Sequence, residues 1–206
     1  MRIVLPSVVS YLARLPDGVD SHPTALVKGS VVRVALRPEI TAADWTGVDV
    51  PGSVRDLVQH PPSVSAWVPE AHYCALLEAI YDRWFATAEG GGMPAYDAWL
   101  LAGARTLMRS PIYRALFFVA GVQRIVTAGA DRWGMFHRGS SLEPRTRGPG
   151  SSELRIHFPP YLFGPSPLLA VEVGVRSSVE AAGGNNVVTE CRVEGPGSAY
   201  YRVTWS

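Results

Sequence analysis

Five histidines and two cysteines are the residues of this 206-residue chain whose types could bind metal or move protons: His22, His60, His72, His137, His157, Cys74 and Cys191. His72 and Cys74 are two apart in a helical pattern, so they point roughly 200° apart around the axis and cannot share an undistorted metal site. Cys191 and His157 could meet across a sheet, but a zinc site would need two further ligands. His137 and His157, with Glu143 and Glu153 close in sequence, offer an acid–base set whose geometry nothing local fixes. The chemistry-bearing motifs are missing. There is no Gly-x-Ser-x-Gly elbow, no His-Glu-x-x-His and no P-loop, since Gly90-Gly91-Gly92 lacks the Lys and Ser/Thr that would neutralise a phosphate. No nucleophile and base can be paired. The expectation is a non-enzyme, with catalysis through Cys191 or His157 as the lesser alternative.

Aromatic residues carry more information. Trp133, Phe136, Phe158, Tyr161, Phe163, Tyr200, Tyr201 and Trp205 crowd the C-terminal half, and Phe117 and Phe118 precede them. An ordinary aromatic core explains such a cluster. So does a pocket for an apolar small molecule, which is typically lined by aromatics with few polar groups. For that pocket the candidate wall residues are Phe117, Phe118, Trp133, Phe136, Phe158, Tyr161 and Phe163. A third possibility makes Phe117, Phe118 and Val119 a dimer face.

The elements that must position these residues follow from periodicity and punctuation. Tyr73, Leu76, Leu77, Ile80 and Trp84 recur at helical spacing. Trp67-Val68-Pro69-Glu70 is read as the opening of that helix, with an early proline and an acid in the first turn. A second helix is expected from Pro94 to Met108, and a third from Ser110-Pro111 to about Gly129. Leu116 to Ala120 in the third is apolar on all sides. A shorter helix is expected over Val54–Gln59. Val27–Leu36, rich in β-branched residues, reads as a strand, as do Trp133–Ser140, Leu142–Arg147 and Leu154–Phe158. Ser166 and Pro167 open a helix that runs to Ala182 and stops at Gly183-Gly184. Val187–Val193 and Tyr200–Trp205 form a hairpin around Glu194-Gly195-Pro196-Gly197. Helices followed by a β-β-β-α-β-β run predict an α+β fold, a helical layer on an antiparallel sheet. Residues 1–27, broken by Pro16-Asp17-Gly18 and Ser21-His22-Pro23, read as an N-terminal appendage to a single domain over 28–206.

Composition narrows the function classes. Hydrophobic residues make up 47% and charged residues 18%, which excludes general disorder. The net charge of +1 supplies no field for a polyanion, so nucleic acid is not an expected partner. Lys28 is the single lysine against eighteen arginines, as a GC-rich genome would give. Two cysteines are too few for a disulfide framework, which suits the cytoplasm. Pro6 breaks the short apolar N-terminus, against a signal peptide. Ala115–Val122 is far shorter than the roughly 20 residues needed to span a bilayer.

Several short motifs together resemble a known group. Lys28-Gly29-Ser30, Trp67-Val68-Pro69, Ala181-Ala182-Gly183-Gly184 with Val187-Val188-Thr189-Glu190-Cys191, and the ending Tyr200-Tyr201-Arg202-Val203-Thr204-Trp205 look like an uncharacterised family of myxobacterial paralogues. Over roughly residues 27–205 the chain is also similar to the superfamily of vinyl-reductase-type ligand-binding domains, haem–nitric-oxide-binding domains and TRAPP vesicle-tethering subunits. The resemblance implies a non-catalytic sensor or scaffold in bacterial signalling. Its partner would be a hydrophobic small molecule held between helices and sheet, or another protein, including a second copy. A filled-core interaction module without a ligand is the alternative. The family's ending usually carries Cys-x3-Gly-x3-Cys; here Cys191 and Gly195 stand but Ala199 replaces the second cysteine. One thiolate cannot do the work of two in a tetrahedral site, so no zinc is expected. Haem-binding relatives use a proximal histidine on a helix. No motif around His72 carries that role over, and no cofactor is expected.

Overall fold

The computed structural model describes residues 2–87, 89–109 and 121–206. At its centre lies a helix whose surface is buried nearly all round, α5 (Glu70–Trp84). Tyr73, Leu76, Leu77 and Ile80 are all buried, as the periodicity predicts. Ala71, Ala75 and Ala79 are buried too, and their small side chains let neighbouring elements approach. One neighbour is α1 (Pro6–Arg14), which places Val8 and Tyr11 in the same core cluster. Asp82 of α5 accepts the N–H of Ser7 at 2.7 Å, occupying a free donor at the start of α1. The buried Tyr11 hydroxyl donates to the carbonyl of Leu162 at 2.8 Å, 151 residues away. The first 27 residues thus contribute Leu5, Val8, Tyr11, Leu15, Ala25 and Val27 to the main core.

On its other side α5 meets α9 (Pro165–Ala181), which in turn packs against α6 (Gly92–Met108) and against an antiparallel sheet. The sheet has the order β6 (Ser141–Gly148), β7 (Ser151–His157), β9 (Ser198–Thr204), β8 (Val188–Gly195). Its inner face follows the period-two rule: Ser152, Leu154 and Ile156 of β7, and Ala199, Tyr201 and Val203 of β9, are buried, while alternate residues are more open. The Tyr201 hydroxyl donates to Leu168 O of α9 at 3.1 Å and ties sheet to helix. Arg176 of α9 pairs with Asp97 of α6 at 2.7 Å, and Arg105 of α6 makes a two-pronged contact with Glu180 of α9 at 3.0 Å.

A second sheet is built from very short strands: β2 (Leu26–Lys28) lies between β4 (Trp67–Pro69) and β5 (His137–Arg138). A third pairs β1 (Ile3–Val4) in parallel with β3 (Val48–Asp49). The helices α2 (Gly29–Ala35), α3 (Pro38–Thr41), α4 (Gly52–Gln59), α7 (Gly121–Thr127) and α8 (Gly129–Phe136) complete the helical part.

The fold is α+β, as expected, with four corrections to the sequence reading. Val27–Leu36 is not one strand. It turns from β2 into α2 at Gly29, where the chain passes so close to the Ser63 carbonyl that a Cβ would collide with its oxygen. Trp133–Phe136 belongs to α8, and only His137–Arg138 is extended; that strand pairs with β2, so the meander contributes β-β-α-β-β to the four-stranded sheet. Trp67–Pro69 is a strand, and α5 starts at Glu70. Gly164 and Pro165, two residues earlier than read, open α9. The expected third helix lies outside the described residues up to Ala120.

Candidate functional site

The layers do not close completely. Between α2, α5, α6, α7, α8 and α9 is a cavity of about 240 Å³. Its wall is mainly apolar: Val31 and Val34, Leu77, Leu100 and Ala104, Ile125 and Val126, Phe163, and Ala170, Val171 and Val175 contribute. A cavity lined in this way favours an apolar occupant over water, which needs two to four polar partners.

A few polar groups interrupt that wall, and two of them are joined. Glu70, at the first turn of α5, is 1% exposed. Its Oε1 lies 2.6 Å from Nδ1 of His137, the first residue of β5. The His137 ring stacks on Trp133 of α8, centroids 3.8 Å apart and planes 10° apart. Trp133 is held in turn by its indole N–H, which donates to Ser140 Oγ at 3.0 Å. The short second sheet makes this possible. With β4 and β5 flanking β2, the residue after β4 and the first residue of β5 come together although they are 67 positions apart. A buried carboxylate is tolerated when it is paired. Oε2 of Glu70, however, has no hydrogen-bond partner among the described residues.

Of the candidate aromatic wall residues, Trp133, Phe136 and Phe163 lie on the cavity. Phe158 is buried behind Phe163, ring centroids 4.7 Å apart, and does not reach the cavity. Tyr161 is 44% exposed at a positive φ of 65° and also lies off the cavity. Phe117 and Phe118 lie outside the described residues. A further aromatic group, Tyr81, Phe85, Tyr96 and Trp99, packs between α5 and α6. Its members come from the N-terminal half of the chain, scattered over 19 positions (81 to 99) and gathered only by the packing of the two helices.

The proton-transfer candidates do not assemble as grouped by sequence. His157 lies 3.6 Å from Glu143 on an open surface, Glu153 pairs with Arg147, and His137 pairs instead with Glu70. Cys191 is level with Tyr201 and hence with Leu154, whereas His157 sits three residues further along β7 and two strands over. No group of three potential metal ligands occurs among the described residues. Burial raises the Cys191 thiol to about 11, and raises Cys74 well above its ordinary value, so neither is a ready thiolate nucleophile. Glu70 was legible in the sequence only as a first-turn acid, a position that is usually solvated; nothing local marked it as buried.

Among families no model matches the chain, and among curated proteins no relative matches. Solved structures do. An oxygen-binding H-NOX domain related to soluble guanylate cyclases is 8% identical, with 86% of this chain and 92% of that one covered at a TM-score of 0.54. An H-NOX protein from K. algicida in its Fe(II) unliganded form is 10% identical, covering 87% and 96% at 0.51. An H-NOX domain in which haem distortion was probed is 11% identical, covering 87% and 95% at 0.52. At such identities the likeness is one of fold. The haem these relatives bring to mind does not fit the residues present here. The cavity falls below the roughly 300 Å³ at which pockets for drug-sized ligands begin, and a porphyrin is larger than those. His72, the histidine on α5, is not on the wall. His137, which is, lies at the start of a strand, with Nδ1 committed to Glu70 and its ring stacked on Trp133. The chain therefore has an H-NOX-like α+β fold around a cavity of about 240 Å³, too small for haem.

Proposed function

We propose that this protein is a non-catalytic sensor domain that holds a small, largely apolar molecule between its helices, in cytoplasmic bacterial signalling. The observation that carries this reading is the cavity of about 240 Å³, apolar over most of its wall and interrupted by the buried Glu70–His137 pair. Apolar walls with a few placed polar groups are the usual make-up of a small-molecule site. The cavity supports a ligand-binding domain over a filled-core scaffold. The H-NOX-like fold supports the same reading as an analogy of architecture. No described helix is long and apolar enough to cross a membrane.

Native and denaturing mass spectra of the purified protein test the proposal. A mass excess lost on denaturation identifies a resident ligand. If the protein is bare, toluene is the probe: it should raise the melting temperature progressively, with the logarithm of its concentration once that exceeds the dissociation constant. Ala104→Leu, which projects additional carbons from the cavity wall, should abolish that shift while the protein stays folded. A bare chain whose melting temperature toluene leaves unchanged would refute the reading.

A further inference from the structure

The chemistry of one wall residue narrows the class of ligand, on the reading of the cavity given above. Glu70 is almost completely buried and is one of the residues that line the cavity. One oxygen is occupied by His137 Nδ1 at 2.6 Å. The other has no hydrogen-bond partner among the described residues. A buried carboxylate oxygen without a donor is costly, because its lost hydration is not replaced. Another buried acid shows the contrast: Glu78, about two turns further along α5, receives the Ser166 N–H on one oxygen and the Ser166 hydroxyl on the other. The flat Trp133–His137 stack fixes the imidazole and so leaves the carboxylate little freedom to turn towards another partner.

We propose that the cavity selects an apolar molecule carrying one hydrogen-bond donor, a hydroxyl or an amine, which donates to Oε2 of Glu70. An apolar body fills the space between α6 and α9, and the donor end meets the open Oε2 of Glu70.

Calorimetric titration of the full chain with three matched probes tests this. Toluene reports the apolar cavity, benzyl alcohol adds a donor, and benzyl methyl ether keeps the oxygen but removes the donor. A hydrogen bond to a charged acceptor corresponds to about tenfold in affinity or more. Benzyl alcohol should therefore bind about tenfold more tightly than benzyl methyl ether. Glu70→Gln should remove most of the alcohol-over-ether preference and leave toluene binding intact. Equal binding of alcohol and ether, or an unchanged preference in folded Glu70→Gln protein, would overturn the inference. If that variant does not fold, the wild-type alcohol–ether ratio alone decides. Failure of all three probes, toluene included, would overturn the cavity reading as well, whereas toluene binding without a donor preference would overturn the donor rule alone.

Discussion

Replacing Glu78 by glutamine isolates the contribution of a single buried carboxyl group to the pH dependence of folding. Glu78 lies on α5, 2% exposed, with both oxygens turned to Ser166 at the start of α9. Burial lifts its pKa from 4.5 to about 7; the Ser166 hydroxyl and N–H act in the opposite direction, Asp82 adds to the rise and Arg14 opposes it. In the unfolded chain the group titrates near the ordinary glutamate value of about 4.3. Between the two values the native state holds a proton that the unfolded state has released. Stability from this group is therefore complete below the unfolded value and is lost as pH rises through about 7. At about 1.4 kcal/mol per pKa unit the loss amounts to about 4 kcal/mol as an upper figure. Glutamine has the same shape, offers an oxygen to the Ser166 N–H and an amide to the hydroxyl, and carries no charge at any pH. Urea unfolding of wild type and Glu78→Gln at intervals between pH 4.5 and 8 measures the effect. Groups that titrate far from this site cancel in the difference. The variant's stability relative to wild type should rise by about 2–3 kcal/mol across that interval. A difference independent of pH would show that the buried carboxyl does not titrate as its surroundings require.

Three further outcomes are expected. Gly29→Ala should destabilise the protein by about 2 kcal/mol or more, read as a lower urea midpoint, because the added Cβ meets the backbone carbonyl of Ser63; an unchanged midpoint would mean that the Ser63 loop yields freely. Tyr11→Phe should cost about 1–2 kcal/mol, since it leaves the buried Leu162 carbonyl without its donor; a neutral effect would place water there. Iodoacetamide at pH 8 should alkylate Cys191 slowly and Cys74 only after unfolding, given that Cys191 is half-buried, Cys74 is fully buried and the pKa of each is raised; rapid native labelling of Cys74, followed by peptide mass mapping, would contradict the packing around α5.

What the sequence determined by itself is the set of elements long enough to show a period. The Tyr73–Trp84 stripe, the span to Met108, the helix stopping at Gly183-Gly184 and the hairpin at Pro196-Gly197 are all present. In each, repeated apolar positions or glycine and proline punctuation leave one periodicity that buries the face. Short segments carry no such signal. Val31, Val32 and Val34 favour a strand by their branching, yet they form a helix because α2 must pack against α6 after the tight approach at Gly29. Trp133 and Phe136, read as strand residues, are helical and face the cavity from α8. Only the tertiary structure decided the site. Glu70 and His137 meet because two strands of three and two residues flank β2, and pairings that short are fixed by the surrounding packing rather than by their own sequence. The cavity is likewise a property of how the helices fail to close on one another, a difference between packed volumes that no residue type announces.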